Sequence, residues 1–585
     1  VDILGISFGV DTAACLLRDG RVVGAVLEER FSRLKHDRGW PSRSIAWVLE
    51  QGGTSLKEIE HVAFFWNPAL HLDFAHPGRA RTYRHHGDYL HMAPAWLLGA
   101  LRGPLGGIDS PSMTQTIRLE GRGPLHIHYV THHRTHAAAA FLPSPYRSAA
   151  ILTVDGFGER ACTTMGRWSE GGTYESLGEV AFPQTLGGVY AAITGFLGFR
   201  PNNGEGKVMG LAPYGTDRYA DTFRRIIRVH DDPASDAPPY DIDLSWFEYY
   251  LDTPKRVSDK FRATFGEPSA AGTTYEQHHH DLARGLQTVV QEALLACARR
   301  LHHRSGEKHL VMAGGVAMNS VANGFLEKES PFESIWIQPS AGDGGTSVGA
   351  ALWAHHAILG GTERVAWTND RFGPEYDRDA CVAALRRGGW TWHEPDDVFA
   401  DTAAAIADGE LIGWFQGRAE LGARALGGRS ILADPRRPEN KDVLNARVKY
   451  REPFRPFAPS VIAEAANELF ELDLPSGRVA DVPNMQKVFD VRPHARPNLG
   501  AVTHVDGSAR LQTVSATASP RYHAVISAFG AITGVPVLLN TSFNVKGEPM
   551  VLTPDDAIRC WASTGLDRLV LGDLVLRKNV QGPHR

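Results

Sequence analysis

The strongest constraint on the fold is a set of short apolar runs, far apart in the chain, that each end in a glycine- or aspartate-rich turn. They are ILTVDGFG at 151–158, LVMAGG at 310–315 and IWIQPSAGDGG at 335–345. Apolar runs of this length read as strands. A turn straight after such a strand marks the sheet edge at which α/β proteins build nucleotide clefts. Residues 3–17 and 21–27 add two apolar runs joined by an Asp19-Gly20 turn, a β-hairpin pattern, and helices are expected near 282–302 and 345–359. A second α/β block follows the loop 366–376, with strands expected at 410–415, 457–462 and 536–540 and helices near 399–408 and 521–533. At 585 residues the chain is too long for one core, so a domain boundary is placed near residue 360, to within about ten residues.

Two segments break the pattern. Residues 66–125 are rich in His, Pro and Arg, with an apolar stretch at 94–101, and residues 229–267 are acidic and aromatic. Neither shows strand alternation, so both are expected as surface loops or short helices beside a substrate, with Trp246, Tyr249 and Tyr250 shaping acceptor choice. No internal repeat is evident. A net charge of −5 leaves no electrostatic footprint for nucleic acid or an anionic membrane. No run approaches the ~20 apolar residues of a bilayer span, and the first residues lack the order of a secretion signal. Cys15, Cys162, Cys297, Cys381 and Cys560 are odd in number, far apart and without a CxxC pair. That argues against a disulfide framework or a structural zinc site, and a cytoplasmic location is expected.

In THHRTHAAAAF, His132 and His136 stand four residues apart at the head of an alanine-rich helix, so both imidazoles share one face. Asp155 ends the strand ILTVD, and Asp343 sits in PSAGDGGTS. Two imidazoles with one or two carboxylates suit Fe(II), Mn(II) or Zn(II). Alone, the spacing is a weak signal in a chain with 26 histidines. The residue after His132 is His133, so the water-activating glutamate of an HExxH protease is missing. The run 278–280 reads as a solvated helix start.

Longer motifs carry more. They include EERFSRLKHDRGWP at 28–41, the THHRTHAAAAF and ILTVDGFGE segments, GEGKVMGLAPYG at 204–215, MAGGVAMNS at 312–320 and SAGDGGTSVGAA. They continue with GRAELGARALGGRSILADPR, KYREPFRPFAPSV at 449–461, THVDGSARLQT and LNTSFNVKGEPMV. In these motifs and their order the sequence resembles, along nearly its whole length, the carbamoyltransferase family of nodulation-factor and antibiotic-tailoring O-carbamoyltransferases. The resemblance implies an actin-like ATPase (ASKHA-type) domain over 1–360 and a YrdC-like α/β domain that forms carbamoyl-adenylate over 361–585. It implies phosphate and adenosine loops at 5–13, 154–159 and 313–319. The metal ligands it implies are His132, His136, Asp155 and Asp343, holding iron. Asp11 and Lys35 are counted with the catalytic residues. In much of the family a histidine precedes the first aspartate; here Val10 precedes Asp11, and valine carries no proton.

The residues themselves fit this chemistry. Gly314 and Gly315 let the backbone approach a nucleotide, and Asn319 is placed to bond its ribose or phosphate. An adenylation site must neutralise several negative charges, and Arg418, Arg424, Arg429, Lys449, Arg451, Arg455 and Arg510 supply that density. Asn540, Ser542 and Asn544 offer short polar groups after an apolar strand. The resemblance singles out Arg424, Lys449, Arg455, Arg510, Ser542 and Asn544. Arg418 and Arg429 are expected to bind the cofactor, with a surface salt bridge as the alternative for them and for Arg451.

The expected function is ATP-dependent O-carbamoylation. Carbamoyl phosphate yields carbamate, ATP adenylates it, and a small-molecule hydroxyl, as on an antibiotic or other secondary metabolite, takes the carbamoyl group. ATP is a co-substrate, Fe(II) the metal and Mg2+ an allowed second ion; no nucleic acid or membrane partner is expected, and a homodimer is allowed. The rival readings are a fused tRNA threonylcarbamoyladenosine synthase, disfavoured by the net charge, and a catalytically silent nucleotide-binding regulator. A hydrogenase-maturation carbamoyltransferase would carry paired-cysteine zinc motifs, which are absent.

Overall fold

The structure, a computed structural model, describes residues 1–67, 112–118, 120–251 and 255–578. The apolar stretch at 94–101 lies outside the described residues. The chain divides into two compact units, Val1–Ala25 with Arg38–Trp367, and Val26–Asp37 with Thr368–Arg585. A linear division at residue 360 lacks one feature of this arrangement: the segment Val26–Asp37, which carries helix α1 (Glu28–Ser32), belongs to the C-terminal unit.

The N-terminal unit holds two mixed sheets. The first runs β3 (Arg21–Leu27), β2 (Ala13–Arg18), β1 (Asp2–Ser7), β4 (His61–Phe64), β6 (Leu125–Val130), β5 (Ser112–Ile117). In it β1 is antiparallel to β2 and parallel to β4, which is parallel to β6. The run 3–17 is therefore two strands with a turn at 8–12, not one. The second sheet runs β9 (Glu175–Ala181), β8 (Ala161–Ser169), β7 (Ser148–Val154), β12 (His309–Ala313), β13 (Ser334–Ile337). Here β7 is antiparallel to β8 and parallel to β12, which is parallel to β13. One topology thus occurs twice, although no repeat is visible in the sequence. The duplication puts helix α2 (His132–Phe141) after β6 and helix α5 (Thr346–Trp353) after β13, in equivalent places. The two helices meet backbone to backbone: a Cβ on Gly349 would lie 1.9 Å from Thr135 O, so only glycine fits there.

Segment 229–267 holds short helical turns at Leu244–Trp246 and Asp259–Phe265, as expected, but also strand structure and a buried aromatic cluster, which were not. Strands β10 (Ile227–Val229) and β11 (Tyr240–Ile242) pair, and Arg300 of helix α3 (Gln277–Ser305) donates to the carbonyls of His230, Asp232 and Ala237. Trp246, Phe247 and Tyr249 are buried: the Trp246 ring packs with Phe261 and Phe265, Phe247 with Phe261, and Tyr249 with Phe247. The Tyr249 hydroxyl donates to Pro183 O at 2.8 Å. Trp246 and Tyr249 are core residues, which corrects their expected role at the acceptor; Tyr250 alone of the three keeps a partly exposed ring. At the start of α3, His279 is buried and its Nδ1 accepts from Glu276 N–H, so that helix start is capped rather than simply solvated.

The C-terminal unit is built on one seven-stranded mixed sheet. Its order is β19 (Gln512–Val514), β16 (Ala458–Ile462), β20 (Val537–Ser542), β15 (Arg429–Ala433), β14 (Ile412–Phe415), β21 (Arg568–Leu571), β22 (Leu574–Arg577). A short pair, β17 (Phe489–Asp490) and β18 (Ser508–Ala509), lies apart from it. Alternate residues feed two cores, which explains the unbroken apolar runs. Ile412, Trp414, Leu432 and Leu538 pack with helices α6 (Val398–Ala407) and α7 (Pro520–Thr533), while Leu411, Phe415, Ile431 and Leu539 face the other core. Helix α1 is fastened to this unit by Arg33, which donates to Met550 O and Pro549 O at 2.6 and 2.8 Å. Both units are mixed α/β, as the apolar runs imply. Among the described residues no helix is long and apolar enough to cross a membrane.

Candidate active site

The duplicated topology brings its two helix starts together with the end of β7. His132 and His136 project from the first turns of α2, Asp155 follows β7, and Asp343 precedes α5. His132 Nε2 lies 2.8 Å from Asp155 Oδ2 and 3.2 Å from His136 Nε2. His136 Nε2 is 3.3 Å from Asp155 Oδ2, and both rings stand 3.7 Å from Asp343 Oδ1. Ligand atoms about 2.1 Å from one ion stand about 3.0 Å apart at right angles and about 3.4 Å apart at tetrahedral angles. The donor spacing therefore fits a single divalent ion, and its two imidazoles and two carboxylates match first-row transition metals. Burial opposes charge on His136, but the facing Asp155 and Asp343 carboxylates hold its pKa up at about 9. Burial would raise the Asp155 pKa, yet hydrogen bonds from His132 and His136 hold it well below the usual carboxylate range. Asp343 is raised by burial and by the Asp155 charge.

Neighbouring groups aim these ligands. Gly315 N–H donates to Asp155 Oδ1 at 2.9 Å, which leaves Oδ2 for the imidazoles. Gly315 thus acts on a candidate metal ligand. Thr131 leaves the start of α2 without a side-chain cap, and Glu159 supplies one from outside the helix. Its carboxylate accepts His132 N–H at 3.1 Å through either oxygen, and Asn67 N–H at 2.7 Å. His133 points away: Nδ1 meets Thr153 Oγ1 at 2.6 Å, Nε2 meets Ala161 O at 2.9 Å, and burial pushes its pKa down to about 3. It is a neutral structural residue. Asp11 is brought to the same neighbourhood, since a Cβ on Gly342, next to Asp343, would lie 3.9 Å from Asp11 Oδ2. Asn319 is largely spent inside the protein. Its Oδ1 caps helix α4 (Ser320–Glu329) at Ala322 N, and its amide pairs both ways with Gln287.

In the C-terminal unit the structure gathers a second constellation. Arg424, Arg455 and Arg510 are half-buried and lie close enough to repel one another. Burial, with Arg424, Arg451 and Arg455 beside it, puts the Arg510 pKa well below its usual value. Burial and Arg455 lower Arg424 to about 10 and Arg451 to about 9. Among the described residues the Arg424 and Arg510 guanidiniums have no protein hydrogen bond or ion pair. Two unpartnered guanidiniums held among further cations form a site that a polyanion relieves.

Lys449 is buried, and its pKa is well below normal from burial, then from Arg451, Arg455 and Lys35 among the neighbouring charges. Its ammonium donates to Asn544 Oδ1 at 2.8 Å, to Asn544 O at 3.1 Å, and to Ser542 O and Oγ, so it fixes both residues in place. Lys35 reaches this group from Val26–Asp37. Arg451, a surface-pair candidate by sequence, is part of the cluster and stacks over Phe457. Arg418 and Arg429 are not brought to it. Arg418 donates to Gly373 O and Phe372 O, and Arg429 to Gln416 O, Gly417 O, Gly428 O and Pro374 O, under the Phe415 ring. Asn540 is also turned inward, onto Ala425 O.

Comparison with known proteins matches this two-part layout. The family profile of the carbamoyltransferase N-terminus matches residues 2–352, and that of the carbamoyltransferase C-terminus matches residues 403–578. An uncharacterized protein of Synechocystis is 38% identical over 615 residues, covering 99% of this chain and 97% of its own. Nodulation protein NolNO of Sinorhizobium fredii is 38% identical over 583 residues, 99% of this chain and 80% of that protein. The 3'-hydroxymethylcephem-O-carbamoyltransferase of Amycolatopsis lactamdurans is 35% identical over 266 residues, 45% of this chain and 48% of that one. With both profiles matched in order, the chain belongs to the carbamoyltransferase family of enzymes.

Proposed function

We propose that this enzyme makes carbamoyl-adenylate at the cationic cluster of its C-terminal unit and uses it to carbamoylate a small-molecule hydroxyl at the His132–His136–Asp155–Asp343 site. The observation that carries the reading is the pair of unpartnered guanidiniums, Arg424 and Arg510, set among Arg451, Arg455 and Lys449. Such a cluster suits a substrate with several phosphate charges. Carbamoyl phosphate first gives carbamate and phosphate by hydrolysis. A carbamate oxygen then attacks the α-phosphorus of ATP, and pyrophosphate leaves. Arg424, Arg455 and Arg510 hold the anions in line, and Lys449 positions Ser542 and Asn544 beside them. The mixed seven-stranded sheet supports a YrdC-like assignment for this unit, and the twice-used topology supports an actin-like one for the other.

At the second site the acceptor oxygen attacks the carbamoyl carbon, loses its proton and displaces AMP. A divalent ion bound there, iron on the family's pattern, would supply positive charge to the phosphate and to the developing oxyanion. Asp11, beside Gly342, is read as the group that receives the acceptor proton, since Val10 cannot. The acceptor is read as a secondary-metabolite hydroxyl, by analogy with the cephem enzyme and the nodulation protein. The net charge of −5 argues against a tRNA. The test is a reaction with ATP, carbamoyl phosphate and a panel of hydroxylated acceptors, read by mass spectrometry. The reading predicts one carbamoyl group gained and one AMP formed per product; product formation with no AMP would reject the adenylate.

A further inference from the structure

Residues 421–428 of the C-terminal unit carry Arg424 on a loop fastened on both sides of it. Before Arg424, Gly422 N–H donates to Asp370 Oδ2 at 3.0 Å, and Gly422 O accepts from Arg30 of α1 at 2.8 Å. After it, Ala425 O accepts from Asn540 at 2.9 Å and Leu426 O from Gln512 at 3.3 Å. Gly427 N–H donates to Ser430 Oγ, and Gly427 O accepts from Trp414 Nε1. A single oxygen, Glu420 Oε1, accepts the N–H groups of Leu426, Gly428 and Arg429 at 2.7, 2.7 and 3.3 Å. Glu420 and Asp370 are both 1% exposed, far too buried to meet substrate through solvent. The side-chain hydrogen bonds that these two buried acids accept all come from this one loop.

We propose that Glu420 and Asp370 are positioning residues for Arg424. They order its loop in advance, so that the guanidinium already stands where the phosphate of the carbamoyl donor arrives. The proposal rests on reading the cationic cluster as that donor's site. Its physical content is preorganisation. An ordered loop pays no ordering entropy on binding, and a guanidinium with no protein partner breaks no bond to reach the anion. Arg30 adds a use for the Val26–Asp37 segment, which clamps the same loop at Gly422.

The test is calorimetric titration of the full chain with carbamoyl phosphate, for wild type, Arg424→Ala, Glu420→Ala, Glu420→Gln and the Glu420→Ala/Arg424→Ala double variant. Glu420→Ala is expected to weaken binding about tenfold or more, the scale on which outer positioning groups act. Fast amide hydrogen exchange should then appear at Leu426, Gly428 and Arg429 while the rest of the unit stays protected. Glu420→Gln keeps an acceptor oxygen and should recover most of the affinity. The double variant should lose little beyond Arg424→Ala, because both changes remove one contact. Should Glu420→Ala not fold, Asp370→Ala, which frees only Gly422, enters the same cycle. A loss in Arg424→Ala with none in Glu420→Ala, or fully additive losses, overturns the proposal alone. Equal binding by wild type and Arg424→Ala overturns the donor-site reading and the proposal with it.

Discussion

At Gly314 the backbone turns with φ +100°, and a Cβ there would lie 2.2 Å from Val154 O, one residue before the ligand Asp155. Gly314→Ala must therefore shift either the turn or Asp155. It is expected to cost about 2 kcal/mol or more in thermal unfolding and to weaken metal binding with it; unchanged metal affinity would detach the turn from the site. Asp370 gives a pH signature. Burial, with Glu420 beside it, pushes its pKa up to about 7 from 3.8. Between those values the folded chain keeps a proton that the unfolded chain has released. The stability from this group is therefore full below its unfolded pKa and lost as pH rises through about 7. Asp370→Asn keeps an acceptor for Gly422 N–H and cannot ionise, so denaturant unfolding should show it gaining on wild type between pH 5 and pH 8. A constant difference across that range would contradict the shift. The four candidate metal ligands are visible in the sequence, the histidines by their helical spacing and the aspartates by the turns they occupy and the family resemblance. Glu159, Glu420 and Asp370 are not, because an acid that accepts backbone N–H groups reads in sequence like any surface acid. Glu159 and Glu420 at least stand inside the quoted motifs ILTVDGFGE and GRAELGARALGG.

Most strands were readable because their apolar runs are buried on both faces: 149–154 lies within β7, 310–312 within β12, and 334–337 is β13. The short helices of segment 229–267 are as expected, but its buried aromatic cluster is not legible because those residues follow no strand or helix period. They pack as a local cluster that only the fold assembles, pinned by buried Arg300. Trp246 is 8% exposed, and its ring lies 6.1 Å from Phe265 and 4.3 Å below the Lys260 ammonium. Trp246→Ala is thus expected to cost about 3–5 kcal/mol of stability, seen as a lowered unfolding midpoint, with the acceptor KM unchanged. A stable variant with a raised acceptor KM would restore the substrate-loop reading. The start of α2 shows the opposite case: the HxxxH spacing named the helix and its face, but the cap came from Glu159, 27 residues away.

At the scale of the molecule, two features escaped a linear reading. The first is the shared topology of the two N-terminal sheets, which places His132 and Asp343 after equivalent strands although their local sequences differ. The second is Val26–Asp37, whose motif was legible but whose membership of the C-terminal unit depends on Arg30 and Arg33 reaching carbonyls 392 and 517 residues away. The division of labour between the units is the central claim. Its most direct measurement is carbamoyl phosphate-dependent ATP–pyrophosphate exchange, run beside acceptor carbamoylation, in Arg455→Ala and His136→Ala. The account predicts that Arg455→Ala abolishes both activities, since it removes a cation from the adenylation cluster. It predicts that His136→Ala loses bound metal and carbamoylation but keeps exchange within a few-fold of wild type. If His136→Ala, correctly folded, loses exchange as fully as Arg455→Ala, adenylation requires the metal site and the two-site account is wrong.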